Sequence, residues 1–298
     1  MSVKETIPKV DVLIITRDRS ELLLRAVTFL LLNTNLPENI IIIDNSVAIN
    51  AISIFFRKTV LKLLDQSSVP YTYKEIPEIK GVDVARSKGL SLVKSRYVAF
   101  LDDDQIPDKD WILNIQKYFQ KNASVVGLGG KRTSHYENNY WNQIWEKIEV
   151  NRYLKTNKIH FIPGGNSIFD IQYIHKNKIK IRIFKGVIED YDFCQQILAK
   201  GGKLDFDSSI IVFDDFRTSL RSFFRQWYYY GLGTFSFSRQ SIDLHASSKL
   251  KNFFFHFFHI FKTIESLSIP NLDKKYKFGF FIRDIAFFSG YLAGFLSL

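Results

Sequence analysis

Through residue 215 the chain alternates short, unbroken runs of apolar, largely β-branched residues with segments of helical periodicity, and few architectures accommodate that alternation. "VDVLIIT" (10–16) and "NIIIID" (39–44) are continuous and short, as expected of strands buried on both faces. Between them "DRSELLLRAVTFLLL" reads as a helix, opened by Asp18 and Glu21 at capping-box spacing and closed by Asn33, Asn35 and Pro37. Further strands are expected at 71–76, 97–101, 125–130 and 209–213, with helices near 48–64, 82–94, 108–120 and 137–154. Strand and helix in this succession imply an α/β fold whose mostly parallel central sheet carries helices on both faces.

Such sheets bind ligands at the carboxyl ends of their strands. Thr16 ends the first strand, Asp44 the second, and "YVAFLDDDQIPDKDW" (97–111) runs a buried strand into Asp102, Asp103 and Asp104. Three neighbouring carboxylates repel one another, and a divalent cation resolves that repulsion. In an extended segment Asp102 and Asp104 point one way and Asp103 the other, so the outer two are expected to face a ligand. Hard oxygen donors in low number suit Mg²⁺ or Mn²⁺, which keep positions open for phosphate oxygens. The alternative for the triplet is a polar turn leading into the next helix, with Asp108 as N-cap after Pro107 and Asp110 in the same cap.

Charge and composition narrow the function classes. Lys and Arg number 41 against 30 acids, a net charge of +11, which suits an anionic partner: a nucleotide, a nucleic acid or an acidic membrane. The basic residues are dispersed rather than gathered with aromatics, which argues against nucleic acid. One cysteine, Cys194, excludes an intramolecular disulfide framework and a cysteine-rich zinc site, and it is expected to be a buried packing residue. The six histidines show no zinc-site spacing. "MSVKETIPKVDV" lacks the apolar core of a signal peptide, so a cytoplasmic location, with contact to the inner membrane face, is expected.

Taken in order, "VDVLIITRDR", "IIIDNS", "VARSKGL", "YVAFLDDDQIPDKDW", "FIPGGNSIF" and "IEDYDFCQQILAKGG" resemble the motifs of the inverting family 2 glycosyltransferases with the GT-A (nucleotide-diphospho-sugar transferase) fold, over residues 8–235. The resemblance implies contacts from Thr16 and Asp44 to the nucleotide base, although Asp44 also suits a strand-ending turn with Asn45 and Ser46. Arg86 matches a basic position near the nucleotide. Asp102, Asp103 and Asp104 match the DxD motif, its first aspartate near ribose or metal and its last holding the cation that bridges the diphosphate. Gly164, Gly165 and Asn166 match the loop beneath the donor sugar, with Asn166 able to bond a sugar hydroxyl. Asp190 matches the base that deprotonates the acceptor, and Glu189 is expected to orient acceptor or backbone; an acidic pair capping the following helix is the alternative. Relatives often place a histidine, as a further metal ligand or a diphosphate contact, near the position that Asp214 takes here, so Asp214 is a third candidate ligand. "RSFFRQWYYYG" (221–231) lacks the QxxRW signature of processive synthases, and transfer of a single sugar is expected.

The resulting expectation is a catalytic domain over 1–235, followed by a helical, aromatic-rich extension over 236–298 that either attaches to a membrane or packs on the domain or a second subunit. "KLKNFFFHFFHIFKTIESL" and "KFGFFIRDIAFFSGYLAGFLSL" hold a large share of the 28 phenylalanines. The second is interrupted by Arg283 and Asp284, so an interfacial, re-entrant or packed segment is expected rather than a membrane span. The expected reaction is metal-dependent transfer of one sugar from a nucleotide-diphospho-sugar to a saccharide or lipid-linked acceptor in surface-glycan synthesis. The alternative is a non-catalytic nucleotide- or membrane-binding protein on the same fold.

Overall fold

A computed structural model describes residues 7–48, 50–79, 81–135, 139–154, 158–242 and 273–297. The described chain divides into two compact units, one of residues 1–135, 149–182 and 190–215, the other of 136–148, 183–189 and 216–298. The boundary expected at 235/236 instead falls inside a continuous helix, Leu220–Ile242.

The first unit contains one eight-stranded sheet. β1 (Val10–Thr16), β2 (Asn39–Asp44), β3 (Tyr71–Glu75) and β4 (Tyr97–Asp102) are joined by helices α1 (Ser20–Leu31), α2 (Ala51–Gln66) and α3 (Val82–Leu90). Then follow β5 (Gln105–Pro107), α4 (Trp111–Lys121), β6 (Val125–Ser134), α5 (Tyr140–Leu154), β7 (Ser167–Asp170), α6 (Ile171–Lys176), α7 (Glu189–Ala199) and β8 (Lys203–Asp214). The strand order is β3-β2-β1-β4-β7-β6-β8-β5. β1, β2, β3 and β4 pair in parallel, as do β6 and β8, whereas β7 runs antiparallel to β4 and β6, and β5 antiparallel to β8. The order reverses at β1 and β4, the switch point at which α/β sheets open a crevice.

Successive residues of the central strands enter two different cores. Val12, Ile14, Ile40, Ile42, Ala99 and Leu101 pack with α1, α2 and α4 on one face. Leu13, Ile41, Ile43, Val98 and Phe100 meet Ala85, Leu90, Phe193 and Ile197 on the other. Both faces are therefore dry, which is why these strands carry unbroken apolar runs. Cys194 is buried in the second core, as expected, and burial pushes its thiol above the usual range.

Two local expectations needed correction. Asp18 does not cap α1: it lies at φ 56, outside the helix, and its Oδ1 accepts the Val47 and Ala48 N–H groups at 2.9 and 2.8 Å, tying the β1 and β2 loops together. A capping box does open α2, between Asn50 and Ser53. Asp108 does not cap α4; it accepts the Asp110 N–H in a turn, and Asp110 occupies the N-cap position without a side-chain cap bond, its carboxylate taking the Thr34 hydroxyl instead.

The second unit is helical and aromatic. It contains the N-terminal part of α5, α8 (Leu220–Ile242) and α9 (Lys274–Leu296). Trp145 stacks on Trp227 and on Phe216, with ring centroids 5.1 and 5.7 Å apart. α8 and α9 approach through glycines: a Cβ on Gly290 would collide with the Tyr228 carbonyl, and one on Gly231 with that of Phe287. α9 is long and apolar enough to cross a membrane. The expected aromatic helix near 250–268 lies outside the described residues.

Candidate active site

The register places Thr16 opposite Asp44 and Ile15 opposite Asp102, so the ends of β1, β2 and β4 meet at one edge of the sheet. Thr16 Oγ1 donates to Asp103 Oδ2 at 2.7 Å. Asp103 is fully buried, and this desolvation pushes its carboxyl up to about 7, with Arg19 drawing it down and Asp104 pushing further up. Arg19 forks across the turn, 2.7 Å from Asp103 Oδ1 and 2.8 Å from Asp104 Oδ2. Arg25 donates to the Asp104 carbonyl at 3.2 Å and to Asp215 at 2.5 Å. The chain turns immediately after Asp102, so the outer aspartates do not project from one continuous strand as the extended reading had them; Asp103 and Asp104 share one arginine while Asp102 meets another.

That other arginine is Arg86 of α3, 2.9 Å from Asp102 Oδ1 and largely buried. The loop 163–166 closes over this pair. A Cβ on Gly164 would overlap the Arg86 guanidinium, and one on Gly165 would lie 2.5 Å from Asp102 Oδ2 and from Gln105 Nε2. Glycine is required here for close approach rather than for turn geometry. The Gly164 N–H then donates to Asp190 Oδ2 at 3.0 Å, while Asp190 Oδ1 accepts the Tyr191 N–H at 2.7 Å. One four-residue loop thus joins the first aspartate of the triplet to the carboxylate at the start of α7.

Other predicted residues are differently employed. Asn166, at φ 58, is buried; its amide donates to the Lys131 and Ile210 carbonyls at 2.9 and 3.0 Å and its Oδ1 accepts from Trp111 Nε1 at 2.8 Å. Both of its N–H groups are spent inside the protein, so the expected bond to a sugar hydroxyl gives way to a structural role. Asp44 accepts the Ser46 N–H at 3.0 Å, forming the turn that its sequence also allowed, and it further binds Arg57 Nε at 2.9 Å and the Tyr73 hydroxyl at 2.6 Å. Asp214 sits opposite Gln105 in the β5–β8 register, and its Oδ2 accepts from Arg132 at 2.6 and 2.9 Å and from Gln105 at 2.7 Å. Burial holds its carboxyl up at about 6, against the pull of Arg132. An oxygen so fully committed to a buried guanidinium is a poor metal ligand, and the third-ligand expectation for Asp214 does not match this arrangement. Glu189 is buried at the first position of α7, within the second unit, and accepts the Ile188 N–H at 3.1 Å.

Asp102 and Asp104 suit a cation. Both are hard oxygen donors that retain some exposure, 35% and 14%, and each already holds a positive guanidinium as a stand-in. Among the described residues no three carboxylate, imidazole or thiolate groups converge as a metal cage. Sequence reasoning missed Arg19, Arg57, Gln105 and Arg132. Arg19 and Gln105 had a signal in their place within "TRDRS" and "DDDQ"; Arg57 and Arg132 lie in helix and strand with none.

A doubly covered sheet with its crevice at β1 and β4 and an acidic turn closing β4 is the GT-A architecture. The same fold is found in the mannosyltransferase PcManGT from Pyrobaculum calidifontis, solved in complex with GDP-Man and Mn²⁺, at a TM-score of 0.69 and 11% identity over 98% of this chain and 88% of that one. S. aureus TarS 1–349, in complex with UDP-GlcNAc, superposes at 0.53 with 13% identity over 81% and 69%. The sequence matches the profile of Glycosyl transferase family 2 over residues 11–177 and that of Glycosyl transferase family group 2 over 97–288, and the chain belongs to glycosyl transferase family 2. Among characterised proteins it is 28% identical over 153 residues to the poly(ribitol-phosphate) beta-N-acetylglucosaminyltransferase TarP of Staphylococcus aureus (strain N315), covering 49% of this chain and 46% of that protein. It is 25% identical over 166 residues to the pre-mycofactocin glycosyltransferase of Mycobacterium tuberculosis, covering 52% and 34%. The matched region thus spans less than half the length of these relatives.

Proposed function

We propose that this protein is a divalent-cation-dependent, inverting glycosyltransferase that moves one sugar from a nucleotide-diphospho-sugar to a saccharide or lipid-linked acceptor. The observation that carries this reading is the 163–166 loop, which fixes Asp190 by the Gly164 N–H and lies against Asp102 and Arg86 through its two glycines. A proton acceptor and a phosphate-binding acidic turn held by one short loop are the two halves of a glycosyl-transfer site. Family membership and the nucleotide-sugar complexes of the two structural neighbours support the donor class.

A cation bound at Asp102 and Asp104 would neutralise charge on the departing nucleoside diphosphate. Arg86, beside Asp102, adds a fixed positive charge to the same region. Asp190 receives the proton of the acceptor hydroxyl as that oxygen attacks the anomeric carbon and the carbon–oxygen bond to the diphosphate breaks. Its two backbone N–H bonds orient the carboxylate. Glu189, anchored on the Ile188 N–H, positions the backbone at the start of α7.

Asp190→Asn should bind donor within a few-fold of wild type and lose roughly 10²–10⁴-fold in turnover. Undiminished transfer would remove Asp190 from this role. A panel of nucleotide sugars screened for slow hydrolysis, with and without EDTA, identifies the donor and tests cation dependence without a known acceptor.

Attachment to an anionic membrane surface is supported by α9, where Phe278, Phe281 and Ile285 are exposed on one face beside Lys274, Lys275 and Lys277. Replacing the three lysines with glutamine should reduce partition to vesicles containing phosphatidylserine; unchanged partition would remove α9 from that task.

A further inference from the structure

We propose that Arg19 is the resident counter-cation of the acidic turn, and that a divalent cation gains Asp104 only by displacing it. The inference rests on the reading of Asp104 as a cation ligand. The Arg19 guanidinium spans two carboxylates, 2.7 Å from Asp103 Oδ1 and 2.8 Å from Asp104 Oδ2. Its side chain is 41% exposed, against 0% for Asp103 and 14% for Asp104. Arg19 is therefore the partner with room to leave: its side chain makes no cap bond, while its backbone stays at the N-cap of α1 with its carbonyl accepting the Leu23 N–H at 3.1 Å.

The rest of the turn is held independently of it. Arg25 binds the Asp104 carbonyl, the Asp215 N–H donates to the same carbonyl at 3.3 Å, and Thr16 keeps Asp103 Oδ2. Release of Arg19 thus frees the Asp104 carboxylate without freeing the backbone. A cation arriving alone must offset the loss of a forked, charge-assisted pair. Arriving with a diphosphate, it meets a smaller cost, because the displaced guanidinium gains a new anion. Cation and nucleoside diphosphate therefore bind cooperatively, and the coupling passes through Arg19.

Binding of Mn²⁺ alone to the full chain, read from the electron paramagnetic resonance signal of free Mn²⁺, tests this without turnover. Arg19→Gln should bind Mn²⁺ about tenfold more tightly than wild type, and nucleoside diphosphate should raise Mn²⁺ affinity in wild type far more than in the variant. Arg19→Lys, whose compact ammonium keeps the charge but lacks the planar fork of the guanidinium, should fall between them and carries the test if Arg19→Gln does not fold. Equal or weaker Mn²⁺ binding by the variants, with that binding still abolished by Asp104→Asn, overturns the role of Arg19 alone. Mn²⁺ binding that survives Asp104→Asn overturns the assignment of Asp104, and the exchange with it.

Discussion

Thr16 and Asp103, 87 positions apart in the chain, meet at 2.7 Å where β1 and β4 end, and their hydrogen bond closes the switch point of the sheet. The hydroxyl is a small group with a large duty, since it serves a carboxylate that no water reaches.

Thr16→Val keeps the shape of the side chain and removes the donor. An unsatisfied buried acceptor costs about 1–3 kcal/mol, so urea unfolding should show a loss of that size. Thr16→Ser should recover most of it, and equal stability of the two variants would deny the bond its importance.

Gly165→Ala tests the close approach of the donor loop. The new methyl meets Asp102 Oδ2 and Gln105 Nε2 at 2.5 Å, so either the aspartate or the loop must shift. Misplacement on that scale lowers turnover by roughly a hundredfold, with little change in the unfolding midpoint. Wild-type activity would show that the loop has slack.

Asp214→Ala separates a metal ligand from an ion-pair partner. Its removal takes from the buried Arg132 charge the carboxylate that acts on it most strongly and should destabilise the protein by about 3–5 kcal/mol. If Asp214 instead holds a cation, stability should change little and Mn²⁺ affinity should fall; calorimetry and Mn²⁺ titration on one variant decide between the two.

Gly290→Val addresses the α8–α9 pair. Its side chain is driven into the Tyr228 backbone carbonyl, which cannot rotate aside, and overpacking of this kind costs about 1–3 kcal/mol. The near-ultraviolet signal of the Trp145–Trp227 stack should be lost at lower temperature than in wild type. An unaltered melt would show that the helices part easily.

Much of the first unit was legible in advance because its signals are local. β1 and β2 were expected at the bounds they occupy, since an unbroken β-branched run states both its conformation and its burial on two faces. The convergence of Thr16, Asp44 and the aspartates followed from parallel strands ending together. Shorter signals failed: β5 has three residues, too few for any period, and β7 gave no hint that it runs antiparallel. Asp18 and Asp108 carried helix-cap chemistry in sequence and spend it on neighbouring loops instead.

The amino-acid sequence by itself determined an α/β sheet, the edge at which its chemistry gathers and the acidic turn that marks it, because periodicity and strand direction are properties of neighbours along the chain. Only the tertiary structure decided the partners: Arg19 for Asp103 and Asp104, Arg86 for Asp102, Arg132 for Asp214, Trp111 for Asn166 and Gly164 for Asp190. The physical reason is that a buried charge or amide takes whichever complementary group packing brings within 3 Å of it. Those groups stand 16 to 85 residues away in the chain, where no local pattern records them.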